Sequence, residues 1–467
     1  MLRVVLLLCF SASLAWPDPA GTLRSLAGFD AAAEKALDQF KVPGAAVGII
    51  QDGKVILAKG YGYRDLVTKK PVTSKTVFAT GSVTKSFTAI VLATLADEGK
   101  LDWDKPVRQY LPWFRMYDPV ATELVNVRDM LSHRTGLPRH DFIRFSTHLT
   151  REELVRRIRY LEPNRTFRDA YQYNNLMYTT AGYLAGVLAG ATWEELVETR
   201  IFKPLGMTRS STSTLEMQHS DDFAKPHLPS AEGPRETGFY VYQKFGVGPN
   251  GAVNSSVEDL LKYLQMYLDG GKPVLSRPQL DEVLKPVTVT SPVNSYALGW
   301  QTGFYRGHRR IEHGGAITGF RAHAILLPEQ NAAVIALINS ETGLATRLAE
   351  ELSDRILGLP PLERPAPGPS TPRPNTMAPN GAKLPRPIEE YAGTYSNPAY
   401  GPVRVEAATG ALRVRFDATT AYLKPSHDDT FEMREGAAQF KRDEKGQVRE
   451  MHLPLEPAVK PFVFVKD

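Results

Sequence analysis

Ser82 and Lys85 stand three residues apart at the start of a long apolar stretch, in Thr80-Gly81-Ser82-Val83-Thr84-Lys85. Positions i and i+3 of a helix share a face, so this spacing puts an amine one turn from a hydroxyl. A serine is a poor nucleophile near neutral pH until a neighbouring base takes its proton. A lysine in a partly desolvated pocket can lose its own proton and become that base, or part of it. Two further clusters follow along the chain, Tyr173-Asn174-Asn175 and His313-Gly314-Gly315. A tyrosine hydroxyl can carry protons, and paired glycines let a second backbone approach closely.

The elements that must hold these residues are legible in the hydrophobic pattern. Residues 29–40 read as a helix. Residues 45–50 and 55–58 read as strands joined by Asp52-Gly53, a strong hairpin signal. Behind Ser82, the residues Phe87, Ile90, Val91, Thr94 and Leu95 recur at helical spacing up to Gly99, a natural helix stop. A helix- and loop-rich middle runs to about residue 270. Strands are predicted at 297–301, 309–312, 321–327 and 332–338, the last two joined by the turn Pro328-Glu329-Gln330-Asn331, and a final helix at 345–356. Strands at both ends with helices between predict an α+β domain over 22–359. It has one antiparallel sheet built from both ends of the domain, with helices on both faces. Residues 360–387 are dense in proline and read as an extended linker. From 388 to 467, apolar and polar residues alternate (Val403/Val405, Leu412/Val414/Phe416), which predicts a small all-β barrel or sandwich. No cluster in it suggests chemistry.

Composition narrows the function. Of 467 residues, 42% are hydrophobic and 23% charged, ordinary for a globular protein. A net charge of +5 on 56 basic and 51 acidic side chains, with no basic run interleaved with aromatics, argues against nucleic-acid binding. Residues 1–15 read as a signal peptide: Arg3, then an apolar stretch too short to span a bilayer, then Ser13-Leu14-Ala15. The expected location is periplasmic or secreted, with no membrane span. The one cysteine, Cys9, lies inside that signal, so disulfides, a thiol nucleophile and Cys-ligated zinc are excluded from the mature chain. The ten histidines form no H-E-x-x-H. No metal or organic cofactor is implied.

The ordered motifs resemble the class C β-lactamase, D-aminopeptidase and penicillin-binding esterase group of serine hydrolases, over about 29–356. Several further stretches match: Met130-Leu131-Ser132-His133-Arg134-Thr135-Gly136-Leu137-Pro138, Pro204-Leu205-Gly206-Met207, and Gly248-Pro249-Asn250-Gly251 leading into Ser255-Ser256-Val257-Glu258-Asp259-Leu260. The resemblance implies that Ser82 is the nucleophile and that Lys85 and Tyr173 share the task of base. A Lys85 ammonium would favour a phenolate at Tyr173. Which of the two takes the serine proton stays open at the level of sequence. Asn175 would bond Lys85 and a substrate amide. His313, Gly314 and Gly315 would lie on the sheet edge facing Ser82, and the Ala316 N–H would join that of Ser82 as an oxyanion hole. Class C β-lactamases carry Lys-Thr-Gly where this chain has His313-Gly314-Gly315. A mostly neutral histidine there removes a permanent cation for a β-lactam carboxylate and favours esters or peptides.

The expected protein is an exported serine hydrolase that forms an acyl-enzyme on Ser82 and cleaves a small-molecule or peptide ester or amide: a D-amino-acid peptide, an ester or a β-lactam. The alternative is a cell-wall-peptide or penicillin-binding protein that is acylated but turns over poorly. Residues 388–467 resemble a lipocalin-like domain, expected to cap the active site or join subunits into a homo-oligomer. His133 is expected to make a structural hydrogen bond, Glu312 and Arg321 to be solvated charges, and Tyr61, Tyr63 and Trp300 to line the pocket or pack.

Overall fold

The computed structural model describes residues 18–240, 246–362 and 386–467. The expected signal peptide and residues 363–385 of the expected linker lie outside the described residues.

Helix α1 (Phe29–Phe40) leads into strands β1 (Gly44–Gln51) and β2 (Lys54–Asp65), followed by the short β3 (Lys70–Pro71). The helices that matter for the site are α2 (Thr84–Asp97), α3 (Asp141–Ser146), α4 (Asn175–Ala189) and α5 (Val257–Leu268). Strands return as β4 (Thr288–Ser291), β5 (Asn294–Tyr296), β6 (Gln301–Tyr305), β7 (His308–Ile317), β8 (Phe320–Leu327) and β9 (Ala332–Ile338), before helix α6 (Leu344–Ile356). The nine strands form one sheet in the order β3-β2-β1-β9-β8-β7-β6-β5-β4. The first and last parts of the domain meet where β1 pairs antiparallel with β9, from Ala45 opposite Ile338 to Gln51 opposite Ala332.

Both of these central strands are buried along their whole length. Their alternate residues serve two cores. Ala45, Val47, Ile49, Val334 and Ala336 pack with α1 and α6 on one face. Ala46, Ile335 and Leu337 join the larger core containing α2, α4 and α5 on the other. A strand covered on both faces reads as a continuous apolar run rather than an alternating one, which is how Ala45-Ala46-Val47 and Ala333-Val334-Ile335 appear. At the β1–β2 turn, Asp52 and Gly53 both have positive φ (49° and 71°), the geometry that an Asp-Gly hairpin adopts.

One predicted strand is displaced. Residues 297–301 form the connection between β5 and β6, with only Gln301 in a strand. Gly299 has φ +82°, and a Cβ there would sit 2.8 Å from the Lys85 carbonyl oxygen. The chain turns at this glycine to pass under the Ser82 helix, and the apolar side chains around it fill the core instead of one sheet face.

Residues 393–466 form a closed barrel of eight antiparallel strands, from Gly393–Asn397 to Phe462–Lys466, with the first strand pairing the last. Aromatic rings fill its interior: Tyr391 lies 5.1 Å from Phe431 and 5.0 Å from Phe440, centroid to centroid. The barrel rests on the segment around α3. The Phe142 ring lies 5.0 Å from Phe416, and Arg157 donates to the Ala399 carbonyl at 2.7 Å. Among the described residues no helix is long and apolar enough to cross a membrane.

Candidate active site

The serine motif begins in a single 3₁₀ turn, Gly81–Val83, that runs directly into α2. Every residue of α2 from Thr84 to Leu95 is buried, so Lys85 enters the interior with the helix that carries it. Its side chain is fully enclosed. Three oxygens surround its amine: Ser82 Oγ at 3.1 Å, Asn175 Oδ1 at 2.9 Å and the Asn250 carbonyl at 2.8 Å. Burial pushes the Lys85 pKa well below the usual lysine range, and the charges of Arg144 and Arg139 push it further, against an opposing pull from Asp141. Burial thus favours the neutral form of this amine over the ammonium. In that form its two hydrogens go to Asn175 and Asn250, and its lone pair is left for the serine hydroxyl 3.1 Å away.

Asn174 caps α4 by accepting from the Met177 N–H at 3.0 Å, which makes Asn175 the first residue of that helix and Tyr173 the last of the extended approach. Tyr173 hydrogen-bonds Ser82, and its ring centroid lies 4.8 Å from Lys85 Nζ. Burial pushes the Tyr173 phenol up to about 12, outweighing the Ser82 hydrogen bond and Arg139, which act in the other direction. The expected phenolate is therefore not the resting form. Desolvation penalises the anion by more than the Ser82 hydrogen bond and the two nearby arginines favour it.

Strand β6 pairs with β7 only as far as Glu312, which leaves the β7 edge from His313 to Ile317 open to the pocket. Two glycines let this edge meet the serine turn. Gly81 has φ +54°, and a Cβ on it would lie 2.6 Å from the Ala316 nitrogen; a Cβ on Gly315 would overlap the Thr80 carbonyl oxygen. His313 is buried. Its Nδ1 donates to the Gly314 carbonyl at 2.7 Å, which fixes the tautomer, and its Nε2 accepts from the Tyr296 hydroxyl at 2.8 Å. Burial, with help from Lys85, pushes this imidazole down to about 3, so it carries no charge at neutral pH.

Ser82, Tyr173, Asn175, His313, Gly314, Gly315 and Ala316 thus line one pocket of about 510 Å³, with Lys85 beneath its floor. Arg139, Arg144, Arg321, Tyr171 and Asn250 also line this pocket. Sequence reasoning passed over Arg139, Asp141, Arg144, Tyr296 and Gly81. Only Gly81 carried a local signal, as the residue before the serine of a strand-to-helix turn. His133 accepts from the Asn174 N–H at 3.0 Å, a structural bond as expected. Glu312 is not a solvated charge: it pairs with Arg310 at 2.6 Å and His323 at 2.8 Å, while Arg321 is held by Glu341 at 2.9 Å. Tyr61 donates to Asp30 and Trp300 to Tyr267, and neither these two nor Tyr63 line the Ser82 pocket. Among the described residues no group of three or more His, Cys, Asp or Glu is placed to hold a metal ion.

The chain belongs to the beta-lactamase family, whose model matches residues 29–358. A second model, for a domain of unknown function (DUF3471), matches residues 378–465. Among curated proteins, an unguisins hydrolase of Aspergillus campestris (strain IBT 28561) is 32% identical over 350 residues, covering 71% of this chain. The chain spans 65% of that relative's own length. An octameric penicillin-binding protein homologue from Pyrococcus abyssi superposes with a TM-score of 0.63 at 24% identity, over 96% of this chain and 100% of that one. A D-amino acid amidase from Ochrobactrum anthropi SV3 superposes with a TM-score of 0.58 at 23% identity, over 72% of this chain and 98% of that one. The fold is the mixed α/β fold of this hydrolase family, followed by a separate closed barrel.

A methyl group at position 315 has no room beside the Thr80 carbonyl. Gly315→Ala is therefore expected to push β7 off the serine turn, cutting reaction of Ser82 with an active-site label by about ten-fold or more. The labelling rate of the two proteins at equal concentration checks this.

Proposed function

We propose that this protein is a serine hydrolase working through an acyl-enzyme on Ser82, and that it cleaves esters or amides, with small esters and D-amino-acid peptides ahead of β-lactams. The observation that carries the reading is the Lys85 amine, buried, with its pKa pushed down, and 3.1 Å from Ser82 Oγ.

In this reading Ser82 Oγ attacks the substrate carbonyl carbon as its proton moves to Lys85 Nζ. The negative charge that develops on the carbonyl oxygen is taken by the N–H groups of Ser82 and Ala316, which Gly81 and Gly315 allow to approach each other. The tetrahedral species collapses, the bond to the leaving group breaks, and the leaving atom receives a proton from Lys85 through the Tyr173 hydroxyl. Water then attacks the acyl-enzyme by the same route in reverse and releases the acid. Tyr173 serves best as a neutral relay, because its raised pKa keeps the proton available for transfer. The uncharged His313 offers no fixed cation to a β-lactam carboxylate, which supports placing β-lactams last. The relative named an unguisins hydrolase supports hydrolysis as the reaction class.

A fluorophosphonate is expected to add one label to the intact protein and none to Ser82→Ala; a label persisting in Ser82→Ala, read by intact mass, sinks the assignment. A panel of p-nitrophenyl esters, D-amino-acid amides and nitrocefin then ranks the substrates. A burst without steady state would instead identify a protein that is acylated but does not turn over.

The labelling rate should rise with pH as Lys85 passes from ammonium to amine, with an acid limb well below the ordinary lysine pKa. Tyr173→Phe should slow turnover by about a hundred-fold or more while leaving that limb in place. A limb that vanishes in Tyr173→Phe would make the tyrosine, not the lysine, the acceptor.

We also propose export, on the strength of the apolar segment before Ala15. N-terminal sequencing of the secreted or periplasmic protein should begin at Trp16, and a chain recovered from the cytoplasm still starting at Met1 would count against it.

A further inference from the structure

We infer that Asp141 is a positioning residue for the proton acceptor, and that the C-terminal barrel holds it there. The inference rests on the reading of Ser82 and Lys85 proposed above.

A side-chain amide has an oxygen that only accepts and a nitrogen that only donates. Asn175 Nδ2 donates to Asp141 Oδ1 at 2.9 Å, so the carboxylate dictates which end of the amide points away from it. The other end, Oδ1, then faces Lys85 Nζ at 2.9 Å and can only accept. With one amine hydrogen committed to Asn175 and the second to the Asn250 carbonyl, the lone pair is left on the side of Ser82. A reversed amide would set an NH₂ against that amine and turn its lone pair from the serine. Asp141 thus sets the direction of the base through Asn175 without touching a substrate.

Asp141 is itself immobilised. Arg144 Nε donates to its Oδ1 at 2.8 Å and Arg139 Nε to its Oδ2 at 2.7 Å. Burial works to raise this carboxyl, yet Arg144, Arg139 and Asn175 hold it at about 2, so it stays ionised. The residues on either side of Asp141 are gripped by the barrel. The His140 N–H donates to Glu456 at 2.7 Å, and the His140 ring lies 5.9 Å from Phe462. His140 is held at φ +45°, a left-handed conformation uncommon for a side chain of its size. Phe142 packs against Phe416 and Tyr400, with centroids at 5.0 and 6.1 Å, and the His148 N–H donates to Asp417 at 2.6 Å. Neighbouring residues face opposite ways: His140 and Phe142 into the barrel, Asp141 into the site. No barrel residue lines the Ser82 pocket. Its influence on the chemistry passes through this segment.

The groups that bear on Lys85 are Asp141, Arg139 and Arg144 from the loop and α3, His133, Tyr173 and Tyr178 beside α4, and His313 from β7. Only Asp141 opposes the two guanidinium charges.

The test measures fluorophosphonate labelling of Ser82 against pH in the full chain, in Asp141→Asn, and in the barrel variant Glu456→Gln/Phe416→Ala, with thermal midpoints recorded for each. Asp141→Asn is expected to slow labelling about ten- to hundred-fold, the loss of a charged hydrogen bond, and to move the acid limb to lower pH as the guanidinium charges go unopposed. The barrel variant should slow labelling in the same direction, about three-fold or more, in a protein that still melts cooperatively. Asp141→Asn at the full rate, or slowed with its limb unmoved, overturns the inference, as does a barrel variant at the full rate. If Asp141→Asn does not fold, the barrel variant decides the matter. An unsubstituted chain with no label on Ser82 sinks the proposed function and this inference together, whereas labelling there with unchanged variants sinks this inference alone.

Discussion

An amine held in the interior without a carboxylate against it is the constraint on which the rest of the site depends. An ammonium at Lys85 would face three neutral oxygens and lose most of its hydration, a cost of several kcal/mol that those contacts do not offset. The nearest acid, Asp141, reaches it only through the Asn175 amide and is already occupied by two arginines. Releasing the proton relieves the conflict, and a buried cation becomes a base. The surroundings follow from that choice. The phenol of Tyr173 keeps its proton because burial penalises the anion by more than Arg139 and Arg144 favour it, and the imidazole of His313 stays neutral because its own burial penalises the cation.

Position then depends on backbone approach. The serine turn and the β7 edge come from segments more than 230 residues apart, and they meet at glycines on both sides of the contact, Gly81 and Gly315. The pairing of β6 with β7 ends at Gln301 opposite Glu312, so the edge that a substrate must reach is left uncovered by the same sheet that holds it. The sheet is rigid where this matters. Its central strands, β1 and β9, are buried on both faces, and a strand packed from two sides cannot slip by one residue without turning its whole apolar set to the wrong core.

Much of this was legible in the chain because the signals were local. The α1 boundaries, the Asp52-Gly53 hairpin, the apolar α2 and the alternation in the barrel strands each follow from neighbours within a few residues. Likewise the ordered clusters at Ser82, Tyr173 and His313 identified residues that the fold brings together in one pocket. What escaped was set by distance. Tyr296 matters only because β5 and β7 bring its hydroxyl to His313. Asp141 sits in a stretch of mixed charge with no periodicity, and its place behind Asn175 depends on packing from a domain 250 residues further on. The misplaced strand at 297–301 has the same origin. Ala297, Leu298 and Trp300 are apolar enough for a strand, but Gly299 is needed to clear the Lys85 carbonyl, a requirement imposed from elsewhere in the fold.

The barrel fits this picture as a brace. Its interior holds Tyr391, Tyr395, Phe431 and Phe440, whose neighbouring rings stand 5.0 to 6.0 Å apart in a packed aromatic cluster. The segment it leans on contains a helix of only six residues, Asp141–Ser146. Such a helix is too short to sustain itself, since nucleation costs more than so few hydrogen bonds return. It must be held by tertiary contacts. On one side Ile143 is buried in the hydrolase core, and on the other Phe142 is taken by the barrel. Removing either support would loosen the backbone that carries Arg139, Asp141 and Arg144, and three charged side chains near a buried amine exert a defined field only when their backbone is fixed. A domain that lines no part of the Ser82 pocket can in this way govern the chemistry within it.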